Sequence, residues 1–204
     1  DLHAPLHSFP TRRSSDLDEI EVQQESYIQS YVDSFEYALN SISFSDTING
    51  YRHFVDVNSF IDFFIINELS KNVDGYRLST YLYKNKESKG GQLNVGPVWD
   101  FNIAYKNANY CGATSTSGWA FDFGALCGTA DQQVPFWWNK FMQDASFKND
   151  LKCRWLELRS TILNTTFLNN YIDSIALLTT EARTRHYDLY PILGVYVWRN
   201  PNPI

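Results

Sequence analysis

An α+β fold that is mainly helical is predicted by three features of this chain. Apolar residues recur at helical spacing through most of its length. One short stretch, residues 79–101, alternates instead and is interrupted by a charged loop ending Gly90-Gly91, the pattern of a β-hairpin. Hydrophobic residues make up 44% of the 204 and charged residues 20%, enough apolar surface for a packed core and too few charges for general disorder.

The elements follow in order. Residues 23–40 set Tyr27, Ile28, Tyr31, Val32, Phe35, Ala38 and Leu39 along one side, with polar residues opposite, so an amphipathic helix is expected. Residues 45–50 read as a loop. Asp56 can cap a second helix, and the run Phe60-Ile61, Phe63 to Ile66 and Leu69 is apolar nearly all round, which places this helix at the centre with Gly75 just past its end. Residues 79–84 form the first strand. Residues 92–95 and 98–101 form the return strand, interrupted by Gly96-Pro97. Residues 106–134 shift to Gly, Ser, Thr, Ala and Asn, and a loop that long is usually functional or covalently tied. Pro135 can open a helix carrying Phe136, Trp137, Trp138 and Phe141. Ser146 can cap the next, through Leu163, with Leu151, Trp155, Leu158 and Ile162 on one face. Residues 167–187 carry Leu168, Tyr171, Ile172, Ile175, Leu178 and Ala182 as a last helix. No internal repeat is visible.

Composition excludes several functions. A net charge of −6 argues against a nucleic-acid groove and against a polybasic membrane patch. No run of about 18 apolar residues is present, so no membrane span is expected. Three Cys are too few for a disulfide framework or a four-Cys zinc site. His53 and His186 lack a ligand partner three or four residues away, so no His metal site is assigned. His7 to Leu17, HSFPTRRSSDL, resembles the conceptual translation of a short-read sequencing adapter, so residues 1–17 are set aside as a disordered artefact and 18–204 are read as the domain. The natural chain is then expected to continue upstream. The ending Pro201-Asn202-Pro203-Ile204 points to truncation there too.

The chemistry concentrates between Glu68 and Asn107. Asp74 lies between the central helix and the first strand, and Asp100 at the end of the return strand. A hairpin brings its open ends together, so the two carboxylates are expected to face one cleft. Lys71, Asn72, Arg77 and Ser79 crowd the first; Asn102 is beside the second. Such a pair suits metal-assisted phosphoryl transfer or the acid and base of a glycosidase. It equally suits a turn cap at Asp74 and an Arg partner at Asp100.

The run Asp74-Gly-Tyr-Arg-Leu-Ser-Thr-Tyr-Leu-Tyr-Lys, followed by Gly96-Pro-Val-Trp-Asp-Phe-Asn, resembles the signature of the CotH family, the spore-coat-protein-H-like atypical kinases. Phe60-Ile-Asp-Phe-Phe-Ile-Ile-Asn-Glu-Leu-Ser-Lys-Asn, Pro135-Phe-Trp-Trp and Arg154-Trp-Leu-Glu-Leu-Arg extend the likeness over residues 19–204. The resemblance implies the C-lobe of a protein-kinase-like fold with the active-site Asp residues on the hairpin. Kinases place a catalytic Asp on one loop, a metal-binding Asn five residues later, and a metal-binding Asp after a short hairpin. Asp74 matches the catalytic Asp and Asp100 the metal-binding one. Ser79 stands where Asn is usual, and Asn102 replaces the Gly after the Asp-Phe pair; both are candidate Mg2+ ligands. Lys71 and Asn72 are candidates for nucleotide binding. The implied cofactors are ATP and Mg2+, and the implied partner is a protein bearing Ser or Thr acceptors. No strand Lys precedes Asp74, so the ATP-clamping half is expected upstream and this fragment is expected to be inactive alone.

Cys111 and Cys127 share the long loop, and a disulfide between them would add roughly 3 kcal/mol in the chain-entropy picture. Together with the 16% aromatic content, it points to a secreted or surface protein of a bacterium; two free thiols are the alternative. Cys153 reads as a small core residue. Core packing is expected for most of Trp119, Trp137, Trp138, Trp155 and Trp198, against a sugar-stacking platform. Glu36 reads as a solvated charge, and Arg154 and Arg159 as partners of Glu157 and its neighbours. The competing functions are an enzyme, a non-catalytic scaffold that keeps the fold, and a carbohydrate-binding module.

Overall fold

The computed structural model describes residues 20–126, 133–198 and 200–204. Residues 1–17 therefore lie outside the described residues, as does Cys127. Helix α1, Val22–Asn40, opens on a reciprocal cap between Glu21 and Gln24 and buries Val32, Phe35, Ala38 and Leu39. Helix α2, Val57–Ser70, is capped by Asp56, whose carboxylate accepts from the amides of Asn58 and Ser59. Phe60, Ile61, Phe63, Phe64 and Ile65 are all buried, so the helix is central, as its pattern predicts. It ends on Lys71 in a left-handed conformation, φ 52°, and not on Gly75, which sits in the turn beyond.

The hairpin is shorter than the alternation implies. Strand β1, Leu82–Lys84, pairs antiparallel with β2, Leu93–Val95, in the register Leu82 to Val95. Residues 98–101 do not continue the ladder. The Gly96-Pro97 peptide is cis, and Pro97 has no N–H to offer a partner strand. The hairpin is fixed to the start of α2: Leu93 donates its amide to the Phe54 carbonyl, and the Val95 amide reaches the Ser59 hydroxyl at 3.2 Å.

The expected long loop carries a 3-10 turn, Ala120–Ala125, that buries Ala120, Phe121 and Phe123. Helix α3, Trp137–Phe141, starts two residues beyond Pro135. Helix α4, Ala145–Ser160, is capped by Asp144 and not by Ser146, because the Asp144 carboxylate accepts the Ser146 amide. The expected last helix is two: α5, Thr165–Leu178, and α6, Thr180–Leu189. The break falls at Thr179, whose hydroxyl bonds back to the Ile175 carbonyl and competes with the helix ladder.

An aromatic core joins these pieces. Trp137 and Trp138 are adjacent on α3, yet both are buried, because the short helix is gripped on two sides. Trp137 meets Phe35 of α1 at 5.0 Å and donates its Nε1–H to Glu36 at 2.7 Å, so Glu36 is not merely a solvated charge. Trp138 meets Phe60, Phe63 and Phe64 of α2. The expectation that most of the Trp are core residues fails for Trp119, Trp155 and Trp198, which are 48%, 36% and 69% exposed. Cys153 is exposed and free, on the solvent face of α4, and not a core residue. Arg154 pairs with both Glu157 and Asp62. Arg159 instead donates to the Leu163 carbonyl and stacks on Trp155. Among the described residues no helix is long and apolar enough to cross a membrane.

Candidate functional site

Two backbone hydrogen bonds define the site. At the open end of the hairpin the Gly96 amide donates to the Tyr81 carbonyl at 2.8 Å. At the other end the Tyr105 amide donates to the Ser70 carbonyl, the last residue of α2, at 2.6 Å. Residues 71–80 and 97–104 are therefore two segments tied together at both ends, with Asp74 in one and Asp100 in the other. Ser79 and Asn102 belong to the same closed ring. It gathers residues from both sides of the hairpin, as the sequence predicts for its open ends.

Buried anchors hold each segment. Val73 and Tyr76 flank Asp74 and are 1% and 2% exposed. The Tyr76 hydroxyl donates to Glu68 at 2.9 Å, and burial raises its pKa well above the ordinary phenol value. Ile103 and Ala104 pin the chain just past Asp100. Gly75 must stay small, since a Cβ there would come within 2.2 Å of the Asn67 amide oxygen. The Asp74 amide donates to the Asn72 side-chain oxygen at 3.3 Å, while the Asn72 side-chain nitrogen is buried with no partner among the described residues. Asn72 thus lies under the Asp74 turn. The Asp74 carboxylate stands 3.6 Å from the Arg77 guanidinium, which also reaches the Val73 carbonyl and the Cys111 sulfur.

The ring is strained. Lys71, Tyr76, Asp100, Tyr105 and Lys106 all have positive φ without being Gly, and all lie in the ring or at its tie. Each such residue costs about 1 kcal/mol, and strain of this kind clusters where geometry matters to function. Around the carboxylates the surface is apolar: Leu78, Val98, Trp99 and Tyr105 are each about half exposed or more. Tyr81 meets Trp99 edge-on at 6.2 Å.

The oxygen atoms here suit a hard cation. Asp100 is exposed and its carboxylate makes no hydrogen bond or ion pair among the described residues; the same holds for the side chains of Ser79 and Asn102. The Thr80 hydroxyl is buried and has no hydrogen-bond partner among the described residues. Mg2+ prefers oxygen ligands and is commonly held by one or two carboxylates with waters and substrate phosphates completing its shell. No group of three or more His, Cys, Asp or Glu gathers at metal-ligand spacing among the described residues, so a cation here would depend on such outside oxygens.

Other expected site residues lie elsewhere. The Lys71 ammonium turns to the neighbouring loop, donating to the Ser117 carbonyl at 3.1 Å and to that of Gly118, and lies over the Phe123 ring. Cys111 is disulfide-bonded; Cys127, its expected partner, is outside the described residues. A groove of about 780 Å³ between α2 and α4 includes neither Asp74 nor Asp100.

A family model described as CotH kinase protein matches residues 6–198. The chain belongs to the CotH family. The matched span opens inside the segment read as adapter-derived and covers every residue of the ring. No curated protein and no solved structure matches the chain. One residue that braces this ring in the CotH chain was not singled out from the sequence. Glu68 accepts from the Ala120 amide at 2.7 Å, the Phe121 amide at 3.0 Å and the Tyr76 hydroxyl, joining α2, the Asp74 turn and the 3-10 turn. Burial raises its pKa against the pull of those bonds. Nothing in the local sequence singles out Glu68, because the same helix also carries Asp62.

Proposed function

We propose that this ring is the phosphotransfer site of a CotH-type kinase acting on Ser or Thr of an exported or surface protein. The observation that carries the proposal is the exposed Asp100, without a partner among the described residues and in a strained conformation, tied by the backbone to the segment that holds Asp74. Asp74, kept in place by Arg77 and by the Asn72 turn, orients the acceptor hydroxyl and takes up its proton. Asp100, with Ser79 and Asn102, would hold Mg2+, which neutralises charge on the transferring phosphate of ATP.

Asp100→Ala and Asp100→Asn test this in a protein that includes the upstream half expected from the sequence. Asn tolerates the left-handed backbone, so the second variant removes charge with little change of fold. Both are expected to lower transfer of labelled phosphate from MgATP by at least about 10²-fold. Wild-type transfer in both would end the proposal. Ser79 in place of the usual amide favours one alternative, a scaffold that keeps the fold without catalysis. A thermal-shift titration separates the two, because MgATP raises the melting temperature only if the site binds it.

A further inference from the structure

The groove between α2 and α4 is assigned no role by the phosphotransfer reading. Ile65 and Leu69 of α2, Leu151 of α4 and Met142 form its apolar floor, and Trp119 and Trp155 stand on its walls. Leu69, Trp119 and Trp155 are exposed at 36%, 48% and 36%, an unusual outlay of large apolar surface in one place.

Its charge is one-sided. Lys148, Lys152 and Trp155 occupy positions i, i+4 and i+7 of α4 and share a face over about 10 Å. Neither lysine ammonium has a hydrogen bond or ion pair among the described residues, although the chain carries a net charge of −6. Several acids near them among the described residues are engaged elsewhere. Asp62 and Glu157 bind Arg154, and Asp150 binds Arg52 at 2.9 Å. Glu68 also lines the groove, but its oxygens accept from two backbone amides and from Tyr76.

We infer that this groove docks an acidic, amphipathic segment of a protein partner, with carboxylates on Lys148 and Lys152 and aliphatic or aromatic side chains against Trp155 and Trp119. Alternate residues of an extended peptide lie about 6–7 Å apart, close to the spacing of side chains one helical turn apart. An open groove with a linear row of cations fits such a segment. Calling the partner the kinase substrate rests on the proposed function; the docking itself does not.

The test is fluorescence anisotropy with a fluorescein-labelled octapeptide alternating Glu with Leu and Phe, titrated with the full chain at low salt and without nucleotide. Saturable binding is expected. It should weaken at least 10-fold in Lys148→Glu/Lys152→Glu, weaken in Trp155→Ala, and vanish when Lys replaces Glu in the peptide. All three substituted side chains are on the surface, and circular dichroism confirms that the variants fold. Absence of saturable binding, equal binding of the Lys peptide, or a double variant within twofold of wild type overturns the inference. So does a dimer by sedimentation that the double variant dissolves and the peptide does not enter, since the groove would then receive a second copy. Asp100→Asn is assayed alongside. Phosphotransfer is read in the longer protein used for the Asp100 variants: peptide binding with no transfer by that wild type sinks only the kinase reading, and transfer with no peptide binding sinks only the docking.

Discussion

Glu68 is the residue on which three parts of the molecule converge, and its protonation has a consequence for stability. Its folded pKa lies above the ordinary 4.5, chiefly through burial. The folded state therefore binds the proton more tightly than the unfolded one. The resulting stabilisation is complete below the unfolded value and is lost as pH rises through the folded value. Asp46 and Glu87 are shifted the other way, by hydrogen bonds to backbone amides and to Lys84 respectively, so they act only below their ordinary values. Between pH 7 and 5 the melting temperature of wild type should thus rise relative to that of Glu68→Gln. Parallel curves for the two proteins across that range would contradict the assignment. At this scale the sequence was only partly informative. That Asp74, Ser79, Asp100 and Asn102 flank the hairpin was legible, because they sit at fixed distances along the chain from it. The contacts of Glu68 were not, since its backbone donors are some fifty residues away.

Among the elements, α2 organises the rest. Its start holds the hairpin through Ser59 and its end holds the Tyr105 amide, so one helix sets both margins of the site. The Asp56 cap was readable from local chemistry, and it gives a direct prediction. Asp56→Ala should destabilise by about 1 kcal/mol. A chain of this size would melt about 2–4 °C lower, as calorimetry would register; an unchanged midpoint would mean the cap contributes nothing. Element boundaries were less legible where the deciding bond is between side chain and backbone. Asp144 displaces Ser146 as the cap of α4, and Thr179 divides the last helix, in each case through one hydrogen bond. The early end of the return strand has a different origin, the missing N–H of Pro97.

Over the whole molecule, the N-terminal third is fastened to α4 by a buried polar link. Tyr51 is fully buried, and its hydroxyl donates to the Asp144 carboxylate at 2.7 Å. The same carboxylate caps α4 and lies 3.6 Å from the Arg52 guanidinium. Tyr51→Phe leaves that buried carboxylate short of a donor, at an expected cost of about 1–3 kcal/mol in urea denaturation. A loss below about 0.5 kcal/mol would show that Arg52 and the α4 amide suffice. Periodicity and turn chemistry are properties of neighbours along the chain. They were enough to establish a mainly helical α+β chain, a central α2, a hairpin with Asp74 and Asp100 at its open ends, and the family likeness. Which Trp are buried, where the Lys71 ammonium turns, what Glu68 holds and where the lysine-lined groove opens depend on side chains distant in sequence. Those choices are made by packing and by the need to pair buried polar groups, and they exist only once the helices are assembled.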